Sequence, residues 1–303
     1  MNSKIVTKLS DYYLDFRKKQ WIASFNEVMP IKMQKLMKEH IEKDIRNKDK
    51  YISFKEYENK IVLFIFAGKG SDCGENVVYC EMVVENSYLN NQLITNELEK
   101  IIQHCKNKFK FRKVYLNTYK KQQNLIKQFK QIGFEFGGHN YIGKVKDALK
   151  YYNKKKLSSH KNLKIHVASN QHINDILKIE KISHTRDKTS RMRDISEKQK
   201  KAYLKLLKES IKNEIAFLLH KSDDLVGYLW IHKNNDNAVI GDIAVHPDYW
   251  GNGFANVLYN RAFHTMKNLG IEKYQGSSST KNVMTLAEKL NRKIITSVYI
   301  HSI

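Results

Sequence analysis

The sequence predicts an α/β protein with mixed (α+β-type) sheets, built as two domains in tandem. Three observations carry this expectation. The chain has 303 residues, 41% of them hydrophobic and 11% aromatic, enough for two cores. Its second half alternates strand-like and helix-like text in the order β-α-α-β-β-β-α-β-α-β. Its first half ends in β-β-α-β-α-β, the same run, which reads as an internal duplication.

The elements follow in order. Residues 57–70 (YENKIVLFIFAGKG) and 75–86 (ENVVYCEMVVEN) are rich in branched and aromatic residues and read as strands. Residues 94–108 read as a helix, 111–119 as a strand, and 121–134 as a helix closed by Gly133. EFGGHNYIGKV is the last strand of this half. The charged stretch KVKDALKYYNKKKLSSHKN, 144–162, reads as a connection. The expected division is therefore 1–150, a linker at 151–162, and 163–303.

In the second half LKIHVA (163–168) is a short strand. Ile173, Ile176, Leu177 and Ile179 recur at near-helical spacing, and 184–194 is polar and irregular. Residues 196–213 open on a serine cap and run as a helix. NEIAFLLHK and DLVGYLWIHK form a hairpin around KSDD, and AVIGDIAV adds a third strand. A glycine-containing turn then leads into a helix to about Asn268. A strand, a helix around NVMTLAEKL and a final strand KIITSVYIHSI complete the chain.

Composition bounds the function. No run of about 18 apolar residues exists, so no membrane span or membrane partner is expected. The first residues lack the apolar core of a signal peptide. Cys73, Cys80 and Cys105 have no metal-like spacing and read as free thiols, pointing to a cytoplasmic protein. The scattered histidines predict no metal site. Net charge is +23, divided as +11 over residues 1–150 and +12 over the rest. An even excess reads first as general surface character. It also suits a polyanionic partner: a nucleotide cofactor, RNA or the ribosome, or an acidic lipid surface. Nothing in the residues points to an oligomeric state.

The most informative stretch is GDIAVHPDYWGNGFANVLYN, 241–260. A strand stops at Pro247, two glycines follow, and a helix begins. Helix-start N–H groups lack intrahelical partners and carry partial positive charge, so an anion sits well there. Glycine lets the backbone come close to a phosphate. Gly251 and Gly253 thus point to a phosphate-bearing ligand. Neither GxGxxG nor a P-loop is present.

In its β-β-β-turn-helix-β-helix-β setting this segment resembles the GCN5-related N-acetyltransferase family. The family motif, [Q/R]xxGx[G/A], falls on Trp250, Gly251, Asn252, Gly253, Phe254 and Ala255, with Trp250 in place of Gln or Arg. The resemblance covers residues 163–303. The first half resembles the same fold in degenerate form: Leu89 to Ile94 stand where the glycine turn would be, without a glycine. It implies one site for acetyl-CoA as co-substrate, and acetyl transfer to the amine of a small molecule or peptide. Ile243 and Val245 would contact the cofactor through their backbone, and Asn282 would meet the pantetheine arm or cap the last helix.

The same resemblance implies Asp242 as general base, with His246 as a second candidate. Glu180 and His184 border the acceptor region. The family's acid, a Tyr on its last helix, is replaced by Ala287, so Tyr249, Tyr259 or water would protonate the thiolate. Two other readings stand beside this one: an acyl or aminoacyl transferase with a tRNA-linked donor, and a non-catalytic CoA- or RNA-binding regulator.

Overall fold

The computed structural model describes residues 2–72, 75–85, 91–109, 113–119, 125–154, 162–186, 197–234 and 237–302. In chain order the elements are α1 (Ser3–Phe25), α2 (Ile31–Arg46), β1 (Tyr51–Tyr57), β2 (Lys60–Asp72), β3 (Glu75–Val84), α3 (Asn91–His104), β4 (Lys113–Thr118), α4 (Ile126–Gln131), β5 (Glu135–Lys144) and α5 (Val145–Lys154). They continue with β6 (Leu163–Val167), α6 (Ile173–Arg186), α7 (Glu197–Lys212), β7 (Ala216–Lys221), β8 (Asp224–Asn234), β9 (Asn237–Val245), α8 (Phe254–Asn268), β10 (Lys273–Ser278), α9 (Lys281–Lys289) and β11 (Lys293–Ser302). The class is α/β with parallel and antiparallel strand pairs, as expected.

The chain forms two compact units, residues 1–139 with 294–303, and residues 140–293. In the first, β1, β2 and β3 pair antiparallel, β3 pairs parallel with β4, and β4 pairs antiparallel with the terminal strand β11. One face carries α1 and α2, whose Val6, Leu9 and Ile41 bury against Phe64 and Val83. The other carries α3, whose Ile94, Leu98 and Ile101 bury against Leu63, Ile65 and Leu116.

In the second unit β6, β7, β8 and β9 pair antiparallel and β9 pairs parallel with β10. One face packs on α6 and α7 through Ile176, Ile179, Tyr203 and Leu207. The other packs on α5 and α8 through Leu149, Tyr152, Leu258 and Phe263. The element order α-α-β-β-β-α-β-α-β thus recurs in the two halves of the chain.

Several boundaries differ from those read in the sequence. The stretch read as a connection holds α5, and residues 151–154 of the expected linker are its last turn. Val145, Ala148, Leu149 and Tyr152 make an i, i+3, i+4, i+7 stripe that buries against α8, hidden in the sequence among lysines. Residues 155–161 lie outside the described residues, as do Cys73, Leu89, Asn90, Ser196 and 187–194 of the polar loop. Residues 184–186 belong to α6. The helix expected over 121–134 is described as 126–131. The helices α1 and α2 and the strand β1 were not anticipated. Among the described residues no helix is long and apolar enough to cross a membrane. Cys80 and Cys105 are buried and unpaired.

Candidate acyl-transfer site

The glycine turn is built as its residues require. After β9 the chain makes a short 3-10 turn, Pro247–Tyr249, and reaches α8. Gly251 and Gly253 have φ of 84° and 80°, the left-handed region that a side chain resists. Gly253 is the N-cap residue of α8 and supplies no side-chain cap. A Cβ on Gly251 would meet nothing within 4 Å, and on Gly253 only Asn256 Nδ2 at 3.7 Å. Both Cβ directions are therefore open at the turn that leads into α8, whose first turn offers N–H donors and partial positive charge. Asn252 is held by its side-chain amide donating to the Tyr249 carbonyl (3.2 Å). Phe254 is buried and stacks on Tyr249, and Ala255 packs on the same core.

Trp250 is 45% exposed, yet its indole N–H donates to the Val245 carbonyl at 2.7 Å. Ser183 donates to the same oxygen at 3.0 Å. The end of β9 is thereby tied to both α6 and the glycine turn.

Strand β9 opens the second feature. It pairs with β10 over Asn237, Ala238 and Val239 only, while both strands run on. Its register with β8 shifts beside Gly241, a bulge where an added Cβ would strike the Trp230 ring. His246 N–H donates to Val226 across β8, so alternation turns the backbone of Ile243 and Val245 the other way, towards β10. The Ile243 N–H is taken by Asp242 Oδ1 (2.8 Å) and the Val245 carbonyl by Trp250 and Ser183. That leaves the carbonyl of Ile243 and the N–H of Val245 facing the diverging edge.

Asp242 and Ala244 face the α6 and α7 side, Ile243 and Val245 the α8 side. Asp242 Oδ2 accepts from Tyr228 (2.6 Å) and Tyr203 (3.0 Å), and His184 Nε2 stands 3.7 Å away. Trp230 in turn donates to the Tyr203 hydroxyl (3.2 Å). Burial alone would raise the Asp242 pKa. The His184 ring, then the two hydroxyls, outweigh burial and hold the carboxyl below its ordinary value. Such a carboxylate is ionised and already engaged, so it suits holding the site better than removing a proton.

Glu180 behaves in the opposite sense. It is buried on α6, and burial followed by the Asp242 charge raises its pKa above the ordinary value, against the pull of His184 and Lys200. Together with His184 it lines a cavity of about 480 Å³ between α6 and α7, also bordered by Leu177, Lys181, Tyr203 and Leu204.

The other expected residues are placed as follows. His246 accepts weakly from the Asp248 N–H (3.4 Å) before the glycine turn. Tyr249 sits under Lys221, whose ammonium lies 5.2 Å from the ring centre. Tyr259 is buried against Phe263 beneath Arg292, in the core and away from any solvent-reaching surface. Ala287 is fully buried. Asn282 does not precede the last helix but lies within the first turn of α9, exposed, and the N-cap residue is Thr280.

Reasoning from sequence missed Ser183, Tyr203 and Tyr228. Nothing local in the sequence marks the hydroxyls of the two tyrosines. Gly241 inside a strand was the available sign of the bulge.

The Asp242 network carries a stability prediction. Because its folded pKa lies below the ordinary 3.8, its contribution is present above that pH and is lost as pH falls through the folded value. Asp242→Asn is expected to destabilise the protein by about 1–3 kcal/mol at neutral pH, since two buried hydroxyls lose a charged acceptor. Denaturant melts of the two proteins should converge in acid. Equal stability at neutral pH would show the network to be slack.

The first unit contains a comparable carboxylate with different company. Glu81 on β3 accepts from Tyr13 (2.6 Å) and Tyr119 (2.8 Å), but the third neighbour is Arg17, 3.6 Å away, in place of an imidazole.

Residues 174–289 match the family described as Acetyltransferase (GNAT) family. Among solved structures, a GCN5-related N-acetyltransferase from Sphaerobacter thermophilus is similar at 9% identity, TM-score 0.57, over 88% of this chain and 85% of that one. A fungal multi-domain GH3 beta-N-acetylglucosaminidase, described as having a GCN5-related glucosamine N-acetyltransferase region, is similar at 13% identity and TM-score 0.51, over 96% of this chain and 37% of that one. At such identities the likeness concerns the fold. No curated protein matches the chain.

Proposed function

Since the chain carries a GNAT-family acetyltransferase domain over residues 174–289, and that fold implies an acyl-CoA donor, we propose that this protein transfers an acetyl group from acetyl-CoA to an amine bound between α6 and α7. The observation that carries the reading is the pair of left-handed glycines at the head of α8, beside a strand that leaves its neighbour. The turn would take the pyrophosphate. The edge of β9 would take the pantetheine arm, with the Val245 N–H towards the thioester oxygen.

The cavity supplies the second substrate. An ammonium entering it meets the Glu180 carboxylate, whose raised pKa suits it to accept a proton. The free amine attacks the thioester carbon, the C–N bond forms, the C–S bond breaks, and CoA leaves as thiolate. After the C–N bond forms the nitrogen sheds its second proton, which Tyr249 or water relays to the sulfur, and the proton on Glu180 passes to solvent. Asp242 keeps its charge throughout and fixes Tyr203, Tyr228 and His184 around the acceptor.

Isothermal titration with acetyl-CoA tests the reading directly. One molecule per chain is expected, because residues 91–94 of the first unit offer no glycine where the turn would lie and Glu81 there is answered by Arg17 in place of an imidazole. Two sites would refute a single working unit, and no binding would leave the tRNA-linked donor as the better reading.

A further inference from the structure

The turn between α1 and α2 exposes what a water-facing surface normally hides. Val28 and Ile31 are 78% and 84% exposed, the two highest values among the large apolar side chains of the described residues, and Ile22 and Leu36 are exposed beside them. Scattered apolar residues need no explanation, but these gather around a single turn of the chain. On α2, Ile31 and Lys35, and Lys32 and Leu36, are i, i+4 neighbours, and all four side chains are exposed. That surface and Lys18 on α1 are basic. Residues 17–39 hold six Lys or Arg against two acids, Glu27 and the exposed Glu39. Arg17, Lys19 and Lys38 are paired with Glu81, Asp15 and Asp11, whereas among the described residues no carboxylate lies within ion-pair distance of Lys32 or Lys35.

We propose that the α1–α2 tip docks the protein on an anionic lipid surface. Bare aliphatic side chains ringed by unpaired lysines match the acyl–headgroup boundary: the apolar groups enter, and the ammoniums stay with the phosphates. RNA would reward the lysines, but it would leave Val28 and Ile31 in water, because its readers stack bases on aromatic rings. A second copy would bring like charges together. The absence of a spanning segment argued against a membrane partner, and neither helix is apolar enough to span. The exposed face emerges only when α1 and α2 fold onto β2.

The test uses the full chain and sedimentation with two kinds of vesicle, phosphatidylcholine alone and phosphatidylcholine mixed with phosphatidylglycerol. Binding is expected to the mixed vesicles only, and to weaken with salt. Val28→Ser with Ile31→Ser should weaken it about tenfold, and Lys32→Glu with Lys35→Glu about twentyfold or more. All four side chains lie at the surface, so thermal melts should not move. Lys208→Glu with Lys212→Glu makes the same charge change elsewhere and should leave binding nearly intact. The proposal is overturned if mixed vesicles are not bound, or if the α7 lysine pair matters as much as the tip. It is overturned equally if the tip variants instead abolish RNA binding or a concentration-dependent dimer while vesicles are ignored.

Discussion

Replacing Glu180 with glutamine is expected to lower turnover at neutral pH by ~10²–10⁴-fold, the usual contribution of a positioned base, with acetyl-CoA affinity nearly unchanged. Much of the loss should return at high pH, where the acceptor amine is already free. The stability effect has the opposite sign. A carboxyl whose folded pKa is raised above 4.5 holds its proton more tightly in the folded state, so its ionisation at neutral pH works against the fold. The glutamine side chain carries no such charge, and the variant should melt at the same temperature as the parent or higher, with the gain appearing as pH rises through 4.5. Lower activity with preserved or increased stability would separate a functional carboxyl from a structural one. If Glu180→Gln keeps full activity near neutrality, proton transfer belongs to His184 or to water, and the role given to Glu180 is wrong.

The second large effect concerns the cofactor. Gly253→Glu should weaken acetyl-CoA binding by ~100-fold or more, because a carboxylate placed beside a pyrophosphate meets like charge at the helix head. Position 253 adds a conformational cost, since its φ of 80° strains most side chains, glutamate included, by roughly 1–2 kcal/mol. Gly253→Asn separates the two causes. Asparagine tolerates the left-handed region and brings no charge, so it should lose far less affinity. The Cβ has room in either variant, with only Asn256 nearby. A folded Gly253→Glu protein with parental affinity would remove the glycine turn from the cofactor site.

Parts of this were legible in the residues alone. The glycine turn was, because a left-handed backbone between a strand and a helix leaves few residue choices, and Gly251 and Gly253 stand at that point. The hairpin, the third strand and the helices of the second half were legible through period and turn chemistry. The roles inside the site were not. Asp242 stands on the strand where a base was expected, yet its character comes first from His184 on α6 and then from Tyr228 and Tyr203, 14 and 39 residues away. Position 250 was visibly a tryptophan in place of a longer polar side chain, but its bond to Val245 depends on how the 3-10 turn folds back. The charged text of α5 concealed a four-residue apolar stripe whose partner helix lies about a hundred residues on.

The terminal strand has a consequence for how the protein is made. β11 pairs with β4, and Thr118 donates its hydroxyl to the Ser297 carbonyl across 179 residues of sequence. Residues 294–303 belong to the first compact unit. A ribosome adding roughly 5–20 residues per second therefore releases β4 long before the strand that covers it, and the nascent first unit waits with an open edge. Early folding of the N-terminal part cannot run to completion during synthesis, and the interval is a window for mispairing or chaperone capture. A chain cut before residue 294 should accordingly show its protease sensitivity in residues 1–139, far in sequence from the cut.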